Sequence, residues 1–188
     1  PGDARVRRYI VSSRLARGVA FAGEKKYDEA LVEFKKAALL DPKNENALYL
    51  QGYLHYQTAS FKQALEVLTQ LRSPEAAEIA ENLPLLLQNI AVELQTREDF
   101  AGAEKALTHA LEFREKDPDL HYLLGYNHMK KGDYTPAVKE IKEALLLDPA
   151  HPKATLALAI ATEKSIDQRL LQAEDGMRRG NYSIAMAA

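Results

Sequence analysis

Residues 18–37 read GVAFAGEKKYDEALVEFKKA and residues 125–144 read GYNHMKKGDYTPAVKEIKEA. Each opens on a small residue, Gly18 or Gly125, and places an aromatic nine positions later, Tyr27 or Tyr134. Alanine follows three positions on, then a large apolar residue after four (Phe34, Ile141) and alanine after three more (Ala37, Ala144). Counted from the aromatic, apolar residues stand at i, i+3, i+4, i+7 and i+10, one face of a helix with 3.6 residues per turn. The residues ahead of the aromatic carry a second helical pattern. The two are separated by short polar links, Gly23-Glu24-Lys25-Lys26 and Lys131-Gly132-Asp133. Each block therefore reads as an antiparallel helical hairpin, with its small residue where two backbones approach closely.

The same pattern recurs through Gly52, Phe61, Ala64, Leu68 and Leu71, and through Ala91, Phe100, Ala103, Leu107 and Ala110. A fifth occurrence, Ala173, Tyr182 and Ala185, closes the chain. An internal period near 34 residues signals a stack of supersecondary units. Because Ala91 fills the place of Gly125, alanine at position 125 is expected to be tolerated. The pairs Asp41-Pro42, Asp117-Pro118 and Asp148-Pro149 read as ends of the second helices, since proline cannot continue the hydrogen-bond ladder.

The strings GEKKYDEALVEFKKAALLDPKN and LLGYNHMKKGDYTPAVKEIKEALLLDP resemble the tetratricopeptide repeat, a 34-residue helix-turn-helix unit. The resemblance covers nearly the whole chain. It implies an all-α fold, a right-handed α-solenoid of antiparallel hairpins, with the first helices lining a concave face. The large aromatic usual early in the first helix is replaced here by Arg14, Leu48, Leu87 and His121. Four hairpins are expected within residues 1–151, at about 11–44, 45–78, 84–117 and 118–151. A long helix and an incomplete fifth hairpin are expected in 152–188.

The repeat aromatics are spaced by 34, 39, 34 and 48 residues, so the period slips twice. Around Arg72-Ser73-Pro74, Ser73 reads as an N-cap with Pro74 at the first helical position. A short extra segment is expected at about 74–82, with Pro84 kinking or dividing the apolar run that follows. From Lys153 to Asp175 no Gly or Pro occurs. That stretch reads as one helix of about 25 residues, about 37 Å long at 1.5 Å per residue, or as two helices broken near Ser165. Residues 177–185 repeat 129–137 position for position, and the chain stops at Ala188, one turn into what should be a second helix. It is read as a piece of a longer protein, its C-terminal segment either disordered at its end or packed against another copy, and the alternative function is a structural element that self-assembles through its solenoid ends.

On the helix face that the resemblance assigns to the concave side stand Asn46, Tyr49, Tyr53 and Tyr56. The third unit offers Gln88, Asn89, Val92 and Gln95, and the fourth Tyr122, Tyr126 and Met129. Tyrosine combines a large apolar body with a hydroxyl and is enriched at binding hot spots. Asn and Gln can pair with both donor and acceptor of a peptide backbone. These residues suit a protein or peptide ligand; the alternative is that the tyrosines pack between hairpins. Family members that capture a chaperone C-terminal carboxylate use Lys and Asn on the first groove helix. Leu15 and Val19 stand there instead, so that mode is disfavoured.

Other functions are argued against by composition. The 188 residues carry a formal net charge of −2, unlike proteins that grip phosphate backbones through clustered Lys and Arg, so no nucleic-acid partner is expected. Arg5, Arg7, Arg8, Arg14 and Arg17 stand against Asp3 alone near the start; they read as a solvated helix edge, or else as the mark of an acidic partner segment. No cysteine is present, which removes disulfides and thiol nucleophiles, and no apolar run is long enough to span a membrane. His121 and His128 lie i, i+7 apart, too far for the usual i, i+4 metal pair, and no phosphate-binding glycine loop occurs. No enzyme, metal or cofactor is expected. The compartment stays open between cytoplasm, slightly favoured, and periplasm.

Overall fold

The computed structural model describes residues 4–72 and 74–178. Among them the elements are α-helices: α1 (Ala4–Gly23), α2 (Tyr27–Leu40), α3 (Glu45–Gln57), α4 (Phe61–Leu68), α5 (Ala77–Thr96), α6 (Phe100–Leu111), α7 (Pro118–Lys131), α8 (Tyr134–Leu147) and α9 (Ala154–Arg178). They fall into two compact units, Pro1–Phe113 and Arg114–Ala188. In the first, α1 pairs with α2, α3 with α4 and α5 with α6, and α3 touches both α1 and α5. In the second, α7 pairs with α8, and α9 packs on both.

The turn inside each hairpin repeats one backbone device. Lys26, Ser60, Asp99 and Asp133 donate their N–H to the carbonyls of Phe21, His55, Leu94 and His128, five residues back, at 2.8–2.9 Å. One residue earlier, Lys25, Ala59, Glu98 and Gly132 donate to Ala22, Tyr56, Gln95 and Met129 at 3.0–3.1 Å. This paired closure is the Schellman motif, which satisfies the helix's last carbonyls and requires a left-handed residue after its end. Those residues have φ of 59°, 55°, 59° and 81°. Only Gly132 takes that conformation without crowding a Cβ.

Across each hairpin the small residue of the first helix meets the large residue 16 positions on. A Cβ built on Gly18 would collide with the ring of Phe34, and one on Gly52 with Leu68. At Gly125 a Cβ would lie 2.6 Å from Ile141 Cγ1, 3.1 Å from the Ala137 carbonyl oxygen and 3.2 Å from the Ile141 nitrogen. Two of those three contacts are backbone, which cannot rotate aside. The expectation that alanine is tolerated at 125 is therefore overturned: α7 and α8 have closed beyond the separation that an alanine needs.

The departures at the aromatic position also resolve. Arg14 donates to Glu33 Oε2 at 2.9 Å, and His121 Nδ1 lies 2.9 Å from Glu140 Oε2. Both partners stand 19 residues along the chain, where the other hairpins hold Val67 and Ala106 opposite Leu48 and Leu87. Burial alone would raise the Glu33 carboxyl, but Arg14, Arg17 and Lys36 hold it below the usual carboxylate range.

Two local expectations fail. Residues 77–82 form no separate segment but the opening of α5, and Pro84 lies inside that helix; Ser73 lies outside the described residues. An interior proline costs about 3 kcal/mol. Against it, Ile79, Leu83, Leu86, Leu87 and Ile90 are all buried, each contributing about 1.5–3 kcal/mol. Glu45 of α3 stabilises the same helix start, its carboxylate accepting from the N–H of Glu75 at 2.8 Å and of Ala76 at 3.1 Å. Asp117-Pro118 likewise ends nothing: α6 stops at Leu111, and Asp117 caps α7 by accepting from Asp119 and Leu120 N–H, with Pro118 at the first helical position. Asp41 and Asp148 do follow the ends of α2 and α8 directly. α9 runs unbroken through Ser165. The tail, including Tyr182 and Ala185, lies outside the described residues.

Candidate binding surface

In the unit Pro1–Phe113 the expected residues stand on α3 and α5, which touch. Asn44 starts α3 by accepting from Ala47 N–H at 3.0 Å. Ala47, Gln51, Gly52 and Leu54 then turn inward, which leaves Asn46 and Tyr53 exposed and Tyr49 and Tyr56 half-buried. The Tyr49 and Tyr53 rings stack at 6.4 Å with 19° between planes. Burial pushes the Tyr49 hydroxyl up, helped by its neighbour Tyr53 and by Glu78 of α5. Tyr56 turns toward its own hairpin and meets Phe61 at 5.8 Å. On α5, Asn89 and Val92 are exposed while Gln88 and Gln95 are half-buried.

The repeat offset orders these residues into columns. Val19, Tyr53 and Val92 share one register position and are 51%, 43% and 39% exposed. One turn earlier, Leu15, Tyr49 and Gln88 share another and are half-buried. Leu85 occupies the α5 place equivalent to Asn46 and is 48% exposed. It was not singled out from sequence, though adding the 39-residue offset to Asn46 points to it. The outer column is thus apolar and aromatic, with the amides of Asn46 and Asn89 beside it.

In the unit Arg114–Ala188 the equivalent pair is Tyr122 and Tyr126, with ring centroids 6.3 Å apart. Tyr122 and Met129 pack in part against the cluster of Ala137, Ile141, Ala144, Ala154, Ala157 and Ala161. The Tyr122 ring also lies 4.9 Å from that of His151, which is buried. Burial pushes the Tyr122 hydroxyl up as well. Tyr126 is half-buried, with Lys130 Nζ 5.4 Å from its ring centre, within cation–π range. Structural packing thus takes part of Tyr122 and Met129, and Tyr126, equally half-buried, has a cation beside its ring.

Among the described residues no group of three or more His, Asp or Glu is placed to hold a metal ion. No described helix is long and apolar enough to cross a membrane.

The tetratricopeptide repeat profile matches residues 21–85 and 94–160, more than two thirds of the sequence. The chain belongs to the tetratricopeptide repeat family. Its fold class is the all-α solenoid of helical hairpins that the repeat pattern predicts, and it is a protein-interaction scaffold of that kind. Among solved structures, MamA resembles it with a TM-score of 0.59 at 16% identity, over 95% of this chain and 87% of that one. A MamA double mutant gives 0.56 at 15%, over 95% and 89%. YrrB, described as a TPR protein with an unusual peptide-binding site, gives 0.54 at 18%, over 93% and 80%. At such identities the likeness carries the fold alone. No curated protein sequence matches the chain.

Proposed function

We propose that this chain holds a protein segment, extended or helical, against the exposed sides of its first helices, on the concave face that its family's hairpins form. In the unit Pro1–Phe113 the contact surface is Asn46, Tyr49, Tyr53 and Tyr56 with Gln88, Asn89, Val92 and Gln95. In the unit Arg114–Ala188 it is Tyr122, Tyr126 and Met129. The observation that carries this reading is the outer column of Val19, Tyr53 and Val92, large apolar side chains left 39–51% exposed at one register position. Contiguous exposed apolar surface rimmed by polar groups marks interaction sites. The reading predicts a non-catalytic scaffold of four hairpins within 1–151, with a long helix and an incomplete fifth hairpin in 152–188.

The test is selection of peptides from a random library on the chain, then fluorescence anisotropy of the selected peptides against variants. Tyr53→Ala and Tyr126→Ala should each weaken binding at least tenfold with helicity unchanged. Normal binding alongside a lowered melting temperature would assign the tyrosines to packing and end the proposal. Self-assembly is a separate reading with its own observation, the apolar outer side of α9, and does not depend on the tyrosines.

A further inference from the structure

On α1 and on α9, exposed apolar side chains stand among charges of opposite sign. The first two turns of α1, residues 4–10, are exposed at every position, with Val6 54%, Tyr9 76% and Ile10 37% exposed. Val6, Tyr9 and Ile10 fall within one arc of about 100°, with Arg5 and Arg7 at its two flanks, and α1 has no acidic residue along Ala4–Gly23. In the other unit, α9 packs on α8 through Ala154, Ala157 and Ala161. Its opposite side presents Leu156, Ile160, Leu170 and Met177, 68%, 42%, 59% and 54% exposed. At about 100° per residue these four fall within one arc of about 100°. The same arc holds Glu163, Asp167 and Glu174 against one cation, Arg178. Lys164, at its edge, lies 3.6 Å from Asp167.

The apolar groups call for cover, and the charges decide by what. Laying α9 of one copy on α9 of another would set carboxylates against carboxylates. Laying α1 on α1 would set guanidinium groups against guanidinium groups. Like-charge juxtaposition across an interface is what excludes a partner, and opposite patches are what select one. Of these three pairings, α1 on α9 alone meets both requirements. We propose that the first turns of α1 in one copy dock on the outer side of α9 in a second copy, apolar side chains together, with Arg5 and Arg7, at the flanks of the apolar arc, facing the carboxylates of Glu163, Asp167 and Glu174. The contact is heterologous, so each copy retains a further α1 and a further α9 to offer. Association then extends head to tail, or closes into a ring.

Sedimentation velocity over a concentration series, at low and high salt, tests this with two charge-reversed variants. One is Arg5→Glu with Arg7→Glu, the other Glu163→Lys with Glu174→Lys; far-UV circular dichroism checks that both keep their helices. The wild-type chain should associate with rising concentration, and added salt should weaken the association, since exposed charges are screened. Each variant alone should associate at least tenfold more weakly. Mixing the two should restore association, because the acidic α1 of one then meets the basic α9 of the other. A wild-type chain that stays monomeric throughout, variants that associate like wild type, or a mixture without rescue would each overturn the proposal. Tyr53→Ala should associate like wild type. Its loss of association would move the contact to the tyrosine surface and overturn the proposal equally.

Discussion

Replacing Gly125 by alanine adds one methyl group, and the structure states where it would go. Its Cβ would sit 2.6 Å from Ile141 Cγ1, whereas carbon atoms rest at about 3.5–4.0 Å. The overlap is about 1 Å. Ile141 has little room to yield, because a β-branched side chain in a helix holds one χ1 rotamer about nine times in ten. Moving it off rotamer costs about 0.5–1.5 kcal/mol. The remaining contacts, 3.1 Å to the Ala137 oxygen and 3.2 Å to the Ile141 nitrogen, are relieved only if α7 and α8 separate. Overpacking of this kind costs about 1–3 kcal/mol, and the backbone contacts place Gly125→Ala in the upper half of that range. Against it, alanine gains about 1 kcal/mol over glycine in a helix interior. The net expectation is a loss of about 1–2 kcal/mol.

Urea unfolding followed by circular dichroism measures it, and a double-mutant cycle assigns the cause. In an Ile141→Ala background the 2.6 Å overlap is gone, so the same substitution should cost less than about 0.5 kcal/mol, a coupling of about 1 kcal/mol or more. Ala91→Gly is the internal control. Ala91 is fully buried at the equivalent place, so glycine there should destabilise by helix propensity and a lost methyl together. A Gly125→Ala chain as stable as wild type, or more so, would show that the close approach of α7 and α8 is not real.

Glycine at the left-handed turn positions should act in the opposite sense. Ala59→Gly and Glu98→Gly should each stabilise by about 0.5–1 kcal/mol, relief of about 1–2 kcal/mol of crowding offset by the greater freedom of glycine in the unfolded chain; unchanged midpoints would refute this. Asp99 accepts from Gly102 N–H at 3.1 Å, a bond that, against an opposing push from burial, holds its carboxyl below the usual range, with Lys62 adding to it. Being depressed on folding, this group contributes stability above its unfolded value near pH 4, lost as pH falls through the folded value. Asp99→Asn keeps a good cap and should flatten that part of the acid limb in stability measured from about pH 4 to pH 2. Arg14→Leu alone leaves the buried Glu33 short of a partner and should cost about 1–3 kcal/mol. Arg14→Leu with Glu33→Val, the pair that the second hairpin uses, should recover most of it, and a double variant worse than the single would refute the exchange.

What the sequence made legible is set by range. The hairpins and their register rest on local periodicity, which one residue's spacing from the next carries, and Gly18, Gly52, Ala91 and Gly125 fall where that spacing puts them. The turns were visible as polar links, yet their left-handed residue was marked by glycine only at Gly132. Lys25, Ala59 and Glu98 take the same conformation because the Schellman hydrogen bonds and the packed helices on either side override a local cost of about 1–2 kcal/mol. Pro84 does not divide the helix for the same reason in reverse, its local cost outweighed by five buried side chains around it. The Glu45 carboxylate at the start of α5 had no sequence signature, since nothing local ties it to a backbone N–H thirty residues away.

The tyrosine face shows where periodicity stops informing. Tyr49, Tyr53 and Tyr56 share a helix face by spacing. Which of them faces solvent depends on the helix beside it, and of the three Tyr53 alone is exposed, at 43%. Tyr122 repeats the place of Tyr49 yet also meets His151, from the link into α9. The charged departures at Arg14 and His121 were the more readable clue. In both hairpins a carboxylate stands 19 residues on, and in the two hairpins without the charge it is absent. Such paired exchange marks positions that touch, so the contact between first and second helices could be drawn from sequence at that offset. Neither exchange reaches from one hairpin to the next, and the pairs that do, Lys62 with Asp99 and Arg72 with Glu112, do not recur at the repeat offset, so the surface formed by α3 and α5 is read from the structure.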